Sequence, residues 1–384
     1  MTTTTRKQVS SETRFRTGAK DLLAALTPLG GVSPTRSPRP ILGHLRLSVA
    51  QGRIEASATD LEMWLTARVN LRECSGEGRL AVPADPLLQI LREAADRDIE
   101  VAWGPGGPVT LKCGRDRFEL TCMPAEEFPE CSEKTEGVQW TLAAGILPKL
   151  LKGTSFAAAR ERTRYTLNGV HWTVGGGHLE VVATDGRRLA LSRAAAKTQG
   201  KGKGILPIRA VALLTQVGEH PLTLILGERS IEARTGSEGV EHILVSRLLE
   251  GQFPDYPSVI PKSKDYNVAE AEASDLLAAF RRASLLSQES RSVRLQFSKG
   301  SLALTGGDPG RGQAKVEVDL DYKGPEVDLR LNPDYVMEGL KSWPGSQVRW
   351  EIRDSVSPCV LKAGKAEKNE GEDHLYVVLP ITLE

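Results

Sequence analysis

Gly43-His44-Leu45-Arg46-Leu47-Ser48-Val49, a turn, then Ile54-Glu55-Ala56-Ser57-Ala58-Thr59-Asp60 is the stretch that decides the fold, because the chain writes it twice more. The second copy is Gly169-Val170-His171-Trp172-Thr173-Val174, then Leu179-Glu180-Val181-Val182-Ala183-Thr184-Asp185. The third is Val293-Arg294-Leu295-Gln296-Phe297, then Ser301-Leu302-Ala303-Leu304-Thr305-Gly306-Gly307-Asp308. Each alternates apolar and polar residues around a glycine-containing turn, which is the pattern of a β-hairpin. Aligned on Thr59, Thr184 and Thr305, the copies recur at steps of about 125 and 121 residues, a domain-sized period.

A second marker keeps that register. Asp85-Pro86, Pro207 and Asn332-Pro333 each open an apolar run at helical spacing: Leu87–Leu91, Ile208–Leu214 and Asp334–Leu340. Proline at the first helical position after a capping residue predicts a helix start. A third marker covers two copies, Phe118-Glu119-Leu120 leading to Phe128-Pro129 and Ile243-Leu244-Val245 leading to Phe253-Pro254. Helical spacing also opens each copy, over Lys20–Leu26, Ile146–Thr154 (with Pro148 inside it) and Asp275–Leu286. The expected fold class is therefore α+β: three tandem domains, each with two helices packed on antiparallel sheets.

Expected boundaries are 12–137, 138–262 and 263–384, after a polar, Thr-rich tail over 1–11 that is expected to be disordered and lacks the apolar stretch of a secretory signal. The joints near Glu130–Glu136 and Pro261–Asn267 are polar and turn-rich. Lys197–Gly204 and the charge run Gly364–Asp373 read as mobile insertions, the latter as a solvated hairpin loop. The five cysteines are an odd set without CxxC spacing, so a metal or disulfide framework is not expected and a reducing cytoplasm is. No apolar run is long enough to span a membrane. A net charge of +1 predicts that any grip on nucleic acid is local and weak.

Enzyme chemistry finds little support. His171 and His178 flank a hairpin without a third ligand, and the glycine runs at 104–107 and 306–310 lack the Lys-Ser/Thr of a phosphate loop. Thr235–Gly239 misses nucleophile-elbow spacing. The repeated Ala-Thr-Asp triplets, at equivalent strand ends, read as structural turns. No catalytic residue, metal or cofactor is expected.

The chain resembles the bacterial DNA polymerase III beta subunit (sliding clamp) family over nearly its whole length. The resemblance is carried by Pro40-Ile41-Leu42-Gly43, Ala58–Met63, Leu167-Asn168-Gly169, Ala183–Ala190, Phe253–Pro261 and Tyr376–Ile381. It implies three clamp domains per chain and a head-to-tail homodimer ring, closed after two copies. Such a ring encircles duplex DNA, slides without sequence specificity through phosphate contacts, and is retained by topology. Implied partners are duplex DNA, the replicative DNA polymerase, a clamp loader that supplies the energy of opening, and repair polymerases and other cleft-binding proteins. No membrane partner is implied, and a cytoplasmic location is expected.

Three sets of positions follow from the resemblance. A partner-peptide cleft maps to Leu167, Thr184, Gly186, Arg187, Arg188, Leu189, Pro254, Val259, Val356, Val377, Leu379, Pro380 and Ile381, where an aliphatic pocket would take Leu and Phe side chains of an extended peptide. A dimer interface maps to Phe118 and Leu120, flanked by Arg115 and Arg117, and to Leu285 and Leu286. DNA-facing cations map to Lys20, Arg36, Arg39, Lys149, Lys152, Arg160, Arg162, Arg164, Arg209, Arg281 and Arg282, each by itself compatible with ordinary solvated surface.

Two departures from the family stand out. The common ending Met-Pro-Met-Arg-Leu is replaced by Leu379-Pro380-Ile381-Thr382-Leu383 with Glu384 added, which loses a rim cation and gains an anion and so predicts a preference for peptides with basic flanks. Where relatives carry an acidic interface stretch, Asp308–Lys315 has one acid and two bases. Alternatives are a paralogous clamp for repair or drug tolerance, a monomeric adaptor with the cleft alone, and, in another class, an enzyme on a repeated scaffold.

Overall fold

The computed structural model describes residues 12–131, 134–161, 165–198, 200–237, 239–262, 265–342, 347–363 and 372–382. The chain packs as two compact units, Met1–Ala144 with Gln216–Arg247, and Gly145–Thr215 with Leu248–Glu384. The middle third of the sequence contributes to both.

In the first unit one antiparallel sheet runs Glu73–Ser75, Thr13–Gly18, Asp98–Trp103, Val109–Cys113, Asp116–Leu120. A second runs Val138–Leu142, Leu222–Leu226, Ser230–Ser237, Val240–Arg247, Met63–Asn70, Arg53–Thr59, His44–Ala50, Gly78–Pro83. Helices Ala19–Gly30 and Ala84–Glu93 pack on one another. The first buries Ala19, Leu22, Ala25, Leu26 and Leu29, one face of a helix by spacing, and leaves Lys20 and Asp21 exposed.

In the second unit the large sheet runs Gly202–Pro207, Gly169–Gly175, His178–Thr184, Arg188–Ala195, Glu372–Val378, Cys359–Ala363, Gln347–Ile352, Asn267–Glu272, Asp321–Tyr322. A four-stranded sheet runs Gly312–Asp319, Ser301–Asp308, Val293–Ser298, Val327–Leu331, with helices Ala273–Ala283 and Pro333–Lys341 packed together. In each unit a strand from the middle of the sequence is the joint: Val240–Arg247 pairs with Met63–Asn70, and Arg188–Ala195 with Glu372–Val378.

The three repeated hairpins form as expected. Gln51-Gly52 (φ 51° and 73°) and Gly176-Gly177 (φ 61° and 84°) make two-residue turns with left-handed backbone at both positions, which suits the strand twist. The third turns at Lys299-Gly300.

Several expectations need correction. Counted from the hairpin turns, Asp60 and Asp185 correspond to Asp308, because Gly52 to Asp60, Gly177 to Asp185 and Gly300 to Asp308 are equal steps. Thr305 lies within its strand and is not the third copy of Thr59. Asp85 does not cap its helix: the helix begins at Ala84 after Pro83, so Pro86 sits inside the first turn, where its missing N–H is no loss. Pro207 ends a strand before the helix Ile208–Val217. Only Asn332 caps as read, its Oδ1 accepting from the Asp334 N–H at 2.9 Å, with Pro333 first in the helix. Lys197–Gly204 is not a mobile insertion throughout, since Lys197–Thr198 is strand and Gly202, Lys203 and Gly204 pair with Val174, Thr173 and Trp172. The 1–11 tail, Gln199 and 364–371 lie outside the described residues. No helix is long and apolar enough to cross a membrane, and no group of three metal-binding side chains occurs among the described residues.

Candidate docking cleft

The second unit carries an open cleft of about 630 Å³. Of the positions expected there it brings together Leu167, Thr184, Gly186, Arg187, Arg188, Leu189, Pro254, Val259, Val377 and Leu379. Its floor is continuous with the apolar cluster of Leu167, Leu189, Ile205, Phe253, Val360 and Val377. Val259 is 56% exposed and Leu379 43%, so apolar surface is held open to solvent.

The backbone turn that shapes one wall is specified locally. Thr184 Oγ1 donates to the Arg188 carbonyl (2.6 Å) and accepts from the Gly186 N–H (3.1 Å). Asp185 Oδ1 accepts from the N–H groups of Arg187 (2.9 Å) and Arg188 (3.1 Å). Gly186 takes φ 86°, a left-handed conformation in which a side chain is disfavoured, and lines the cleft with backbone alone. Asp60 and Asp185 therefore both serve as turn caps, and the structural reading of the Thr-Asp pairs holds.

Arg188 is not a free rim cation. Its side chain is 4% exposed and is bound by Asp185 (3.0 Å), Glu338 (2.5 Å) and the Phe156 carbonyl (2.9 Å), with its guanidinium 4.5 Å from the Tyr335 ring centre. Burial alone would lower its pKa, and Tyr376 and Glu338 more than reverse that, so the net direction is upward. The group clasps the strand Arg188–Ala195 to the helix Pro333–Lys341, and its contribution to the cleft is shape. Arg187 is exposed, in contact with the Tyr335 hydroxyl, which raises its pKa.

The opposite wall is Tyr256–Pro261. The Tyr256 hydroxyl donates to Glu180, which also accepts from Arg193 across the strand pair. Burial first, then Glu180, raise the Tyr256 pKa to about 12, so the phenol stays a donor. Behind it His171 stacks on Phe253 at 4.9 Å, and burial, with Lys203 nearby, lowers its pKa to about 4.

Pro380 and Ile381 do not line this cleft. They line an adjoining, more polar cavity of about 970 Å³ with Asn332, Tyr335 and Met337, and Leu379 borders both. Val356 (64% exposed) lies outside the lining, although Ser357 and Pro358 belong to it. Tyr256, Ile260, Tyr266, Arg353 and Lys262 line the cleft and were not singled out from the sequence; for the first two the motif Phe253–Pro261 was the available signal. Leu383 and Glu384 lie outside the described residues, so the expected anion at the rim has no described position.

Of the interface positions, Phe118 (36% exposed), Arg115 and Arg117 lie on the surface at or beside the edge strand Asp116–Leu120, with Leu120 partly buried. Leu285 is 66% exposed, and Leu286 packs beside Gly312 of the edge strand Gly312–Asp319. Asp308 is occupied internally: its carboxylate accepts from the Glu289 and Ser290 N–H groups, which hold its pKa below the usual range. Arg311 pairs with Glu289 at 3.0 Å. Lys20, Arg36, Arg39, Lys149, Lys152, Arg160, Arg209, Arg281 and Arg282 are exposed, and Arg160 pairs with Glu338 at 3.0 Å and borders the polar cavity. Arg36 and Arg39 sit in the loop before Pro40–Gly43 and not on a helix. Arg162 and Arg164 lie outside the described residues.

Comparison with known proteins agrees with this architecture. Family models for the DNA polymerase III beta subunit match end to end, the N-terminal domain over residues 13–132, the central domain over 141–255 and the C-terminal domain over 257–381. Beta sliding clamps of Salmonella typhimurium and Escherichia coli K12 are each 34% identical over 378 residues, covering 96% of this chain and 100% of theirs. A Pseudomonas aeruginosa sliding clamp bound to griselimycin superposes with TM-score 0.90 at 31% identity, covering 97% of this chain and 100% of that one. The Thermotoga maritima beta subunit gives 0.87 at 27%, with the same coverage. The chain belongs to the DNA polymerase III beta subunit family, the sliding clamps, which are ring-shaped, non-catalytic processivity factors.

Proposed function

We propose that two copies of this chain close head to tail around duplex DNA in the cytoplasm and that the cleft at Gly186 holds short peptides of the replicative polymerase, the clamp loader and repair polymerases. The observation that carries the ring is a pair of sheet edges, unpaired among the described residues, with apolar side chains in the open. Asp116–Leu120 ends one sheet and presents Phe118, and Gly312–Asp319 ends another beside Leu285. An exposed apolar edge is a liability in a lone molecule and a template for pairing between copies. The domain limits 12–137, 138–262 and 263–384 fit this use, with one edge in the first domain and the other in the third.

Exposed cations on a nearly neutral chain suit weak, sequence-blind phosphate contact, so retention on DNA comes from enclosure. With Asp308 and Arg311 both engaged within the chain, apolar contact by Phe118, Leu120, Leu285 and Leu286 holds the joint more than ion pairing does. Multi-angle light scattering tests this: a ring gives twice the 41.7 kDa chain mass, and Leu285→Asp with Phe118→Asp gives the single mass. A single mass for the unaltered chain at micromolar concentration would instead favour the monomeric adaptor.

A further inference from the structure

We infer that the first unit contains a second copy of the docking cleft, already occupied by the chain's own Leu61. The turn Thr59–Met63 repeats Thr184–Arg188 bond for bond. Thr59 Oγ1 donates to the Met63 carbonyl (2.8 Å) and accepts from the Leu61 N–H (2.9 Å), and Asp60 Oδ1 accepts from the N–H groups of Glu62 (3.0 Å) and Met63 (2.8 Å). The neighbouring strand arrives in the same register: the Arg247 N–H donates to the Glu62 carbonyl at 3.0 Å, as the Leu379 N–H does to that of Arg187 at 3.0 Å. Trp64 pairs with Val245 as Leu189 does with Val377.

The floor corresponds as well. Leu42, Ala81 and Phe128 form a cluster in the first unit where Leu167, Ile205 and Phe253 do in the second. What differs is the occupant. Leu61 holds φ 76°, where Gly186 holds 86°, and its side chain packs on that cluster. Trp64 replaces Leu189, and Arg247 replaces Leu379, with its guanidinium 6.0 Å from the Trp64 ring centre and 3.7 Å from Glu62. Leu61 thus occupies the place that an aliphatic side chain of a partner takes beside Gly186. The strained backbone at a leucine is explained by this burial, since a glycine there would leave an open apolar pocket. Docking is confined to one cleft per chain by three residues, and exchanging them supplies a second site for the same class of ligand, a short peptide with leucine and phenylalanine.

The inference rests in part on the cleft at Gly186 being the docking site, and the test separates the two. A Gln-Leu-x-Leu-Phe-type peptide, alanine at the open position, is titrated calorimetrically into the full chain, into L61G/W64L/R247L, and into L61G/R247L in case loss of the buried Trp64 prevents folding. One peptide per chain for the parent and two for a variant that melts cooperatively is the expected result. One per chain for both folded variants overturns the inference and leaves the cleft standing. Gly186→Leu makes the reverse change and weakens parent binding on the order of 10- to 100-fold, the scale of one buried leucine. If the parent binds no peptide, the cleft reading fails by itself. The inference is then judged by a crystal structure of Leu61→Gly: an open pocket floored by Leu42 and Phe128 supports it, and a turn collapsed onto that floor overturns it.

Discussion

At Thr59–Met63 and at Thr184–Arg188 the backbone follows one path under one set of hydrogen bonds, yet the first turn is sealed and the second stands beside a cavity. A leucine in the left-handed region costs about 1–2 kcal/mol, comparable to what its burial returns, so Leu61 is nearly neutral to stability while deciding accessibility. Gly186 carries neither effect. The second turn has a further commitment that the first lacks. Where Met63 is ordinary core, Arg188 draws Asp185 and Glu338 into a buried clasp. Repetition supplied a common frame here, and a few side chains then made one copy structural and the other receptive.

The largest effect should come from making the second turn resemble the first at this position. Arg188→Met removes the charge-assisted bonds to Asp185, Glu338 and the Phe156 carbonyl, leaving Glu338 to Arg160 and Asp185 to its turn N–H groups, and should cost roughly 3–5 kcal/mol in urea unfolding, whereas Met63→Leu should cost under about 1.5 kcal/mol. Equal losses would show that the clasp contributes no more than packing.

The next contrast is in pH dependence. His171, facing Lys203, Glu180, Thr173 and the Phe253 and Tyr256 rings, corresponds to Arg46, whose guanidinium lies 5.5 Å from the Phe128 ring centre. With a folded pKa of about 4 against 6.5 unfolded, the unfolded chain takes up a proton first as pH falls. Stability contributed by neutral His171 is therefore complete above pH 6.5 and is lost between there and about 4, to a total of about 3 kcal/mol. His171→Gln should flatten that part of the stability–pH curve, and an unchanged curve would assign the acid sensitivity elsewhere.

Smaller differences sharpen the comparison further. Asp185→Ala removes two turn caps and a partner of Arg188, and Asp60→Ala removes two turn caps, so losses of about 3 and about 1.5 kcal/mol are expected by chemical denaturation. Glu180 and Glu55 pair with Arg193 and Arg68 at matching positions, but only Glu180 also accepts from Tyr256. Glu55→Gln should cost no more than about 0.5 kcal/mol, with Glu180→Gln costing more and weakening peptide binding through the Tyr256 wall.

How much of this was legible varies with the range of the interaction. The hairpins, the six domain helices and the threefold period were readable, because alternation, turn glycines and apolar spacing are local signals. Alignment on Thr305 displaces Asp308 by two residues from Asp60 and Asp185: Thr305 matches Thr59 and Thr184 in residue type alone, with Gly306 after it, and the pairing of the strands sets the register instead. Gly202 and Gly204 looked like loop residues by composition and are held in a strand by their neighbours. Arg188 and Glu338 are 150 residues apart, and nothing local announces their pairing. The family resemblance located most of the cleft, but it could not divide Leu379 from Pro380 and Ile381, which a change of cavity at the end of the strand separates.

The most direct test of the account is fluorescence anisotropy of a labelled Gln-Leu-x-Leu-Phe-type peptide titrated with the intact chain and with a chain ending at Val378, which lacks Leu379. Saturable binding by the intact chain that disappears on truncation is the predicted result. Equal binding by both, or binding by neither, would contradict a docking cleft bordered by Gly186 and Leu379.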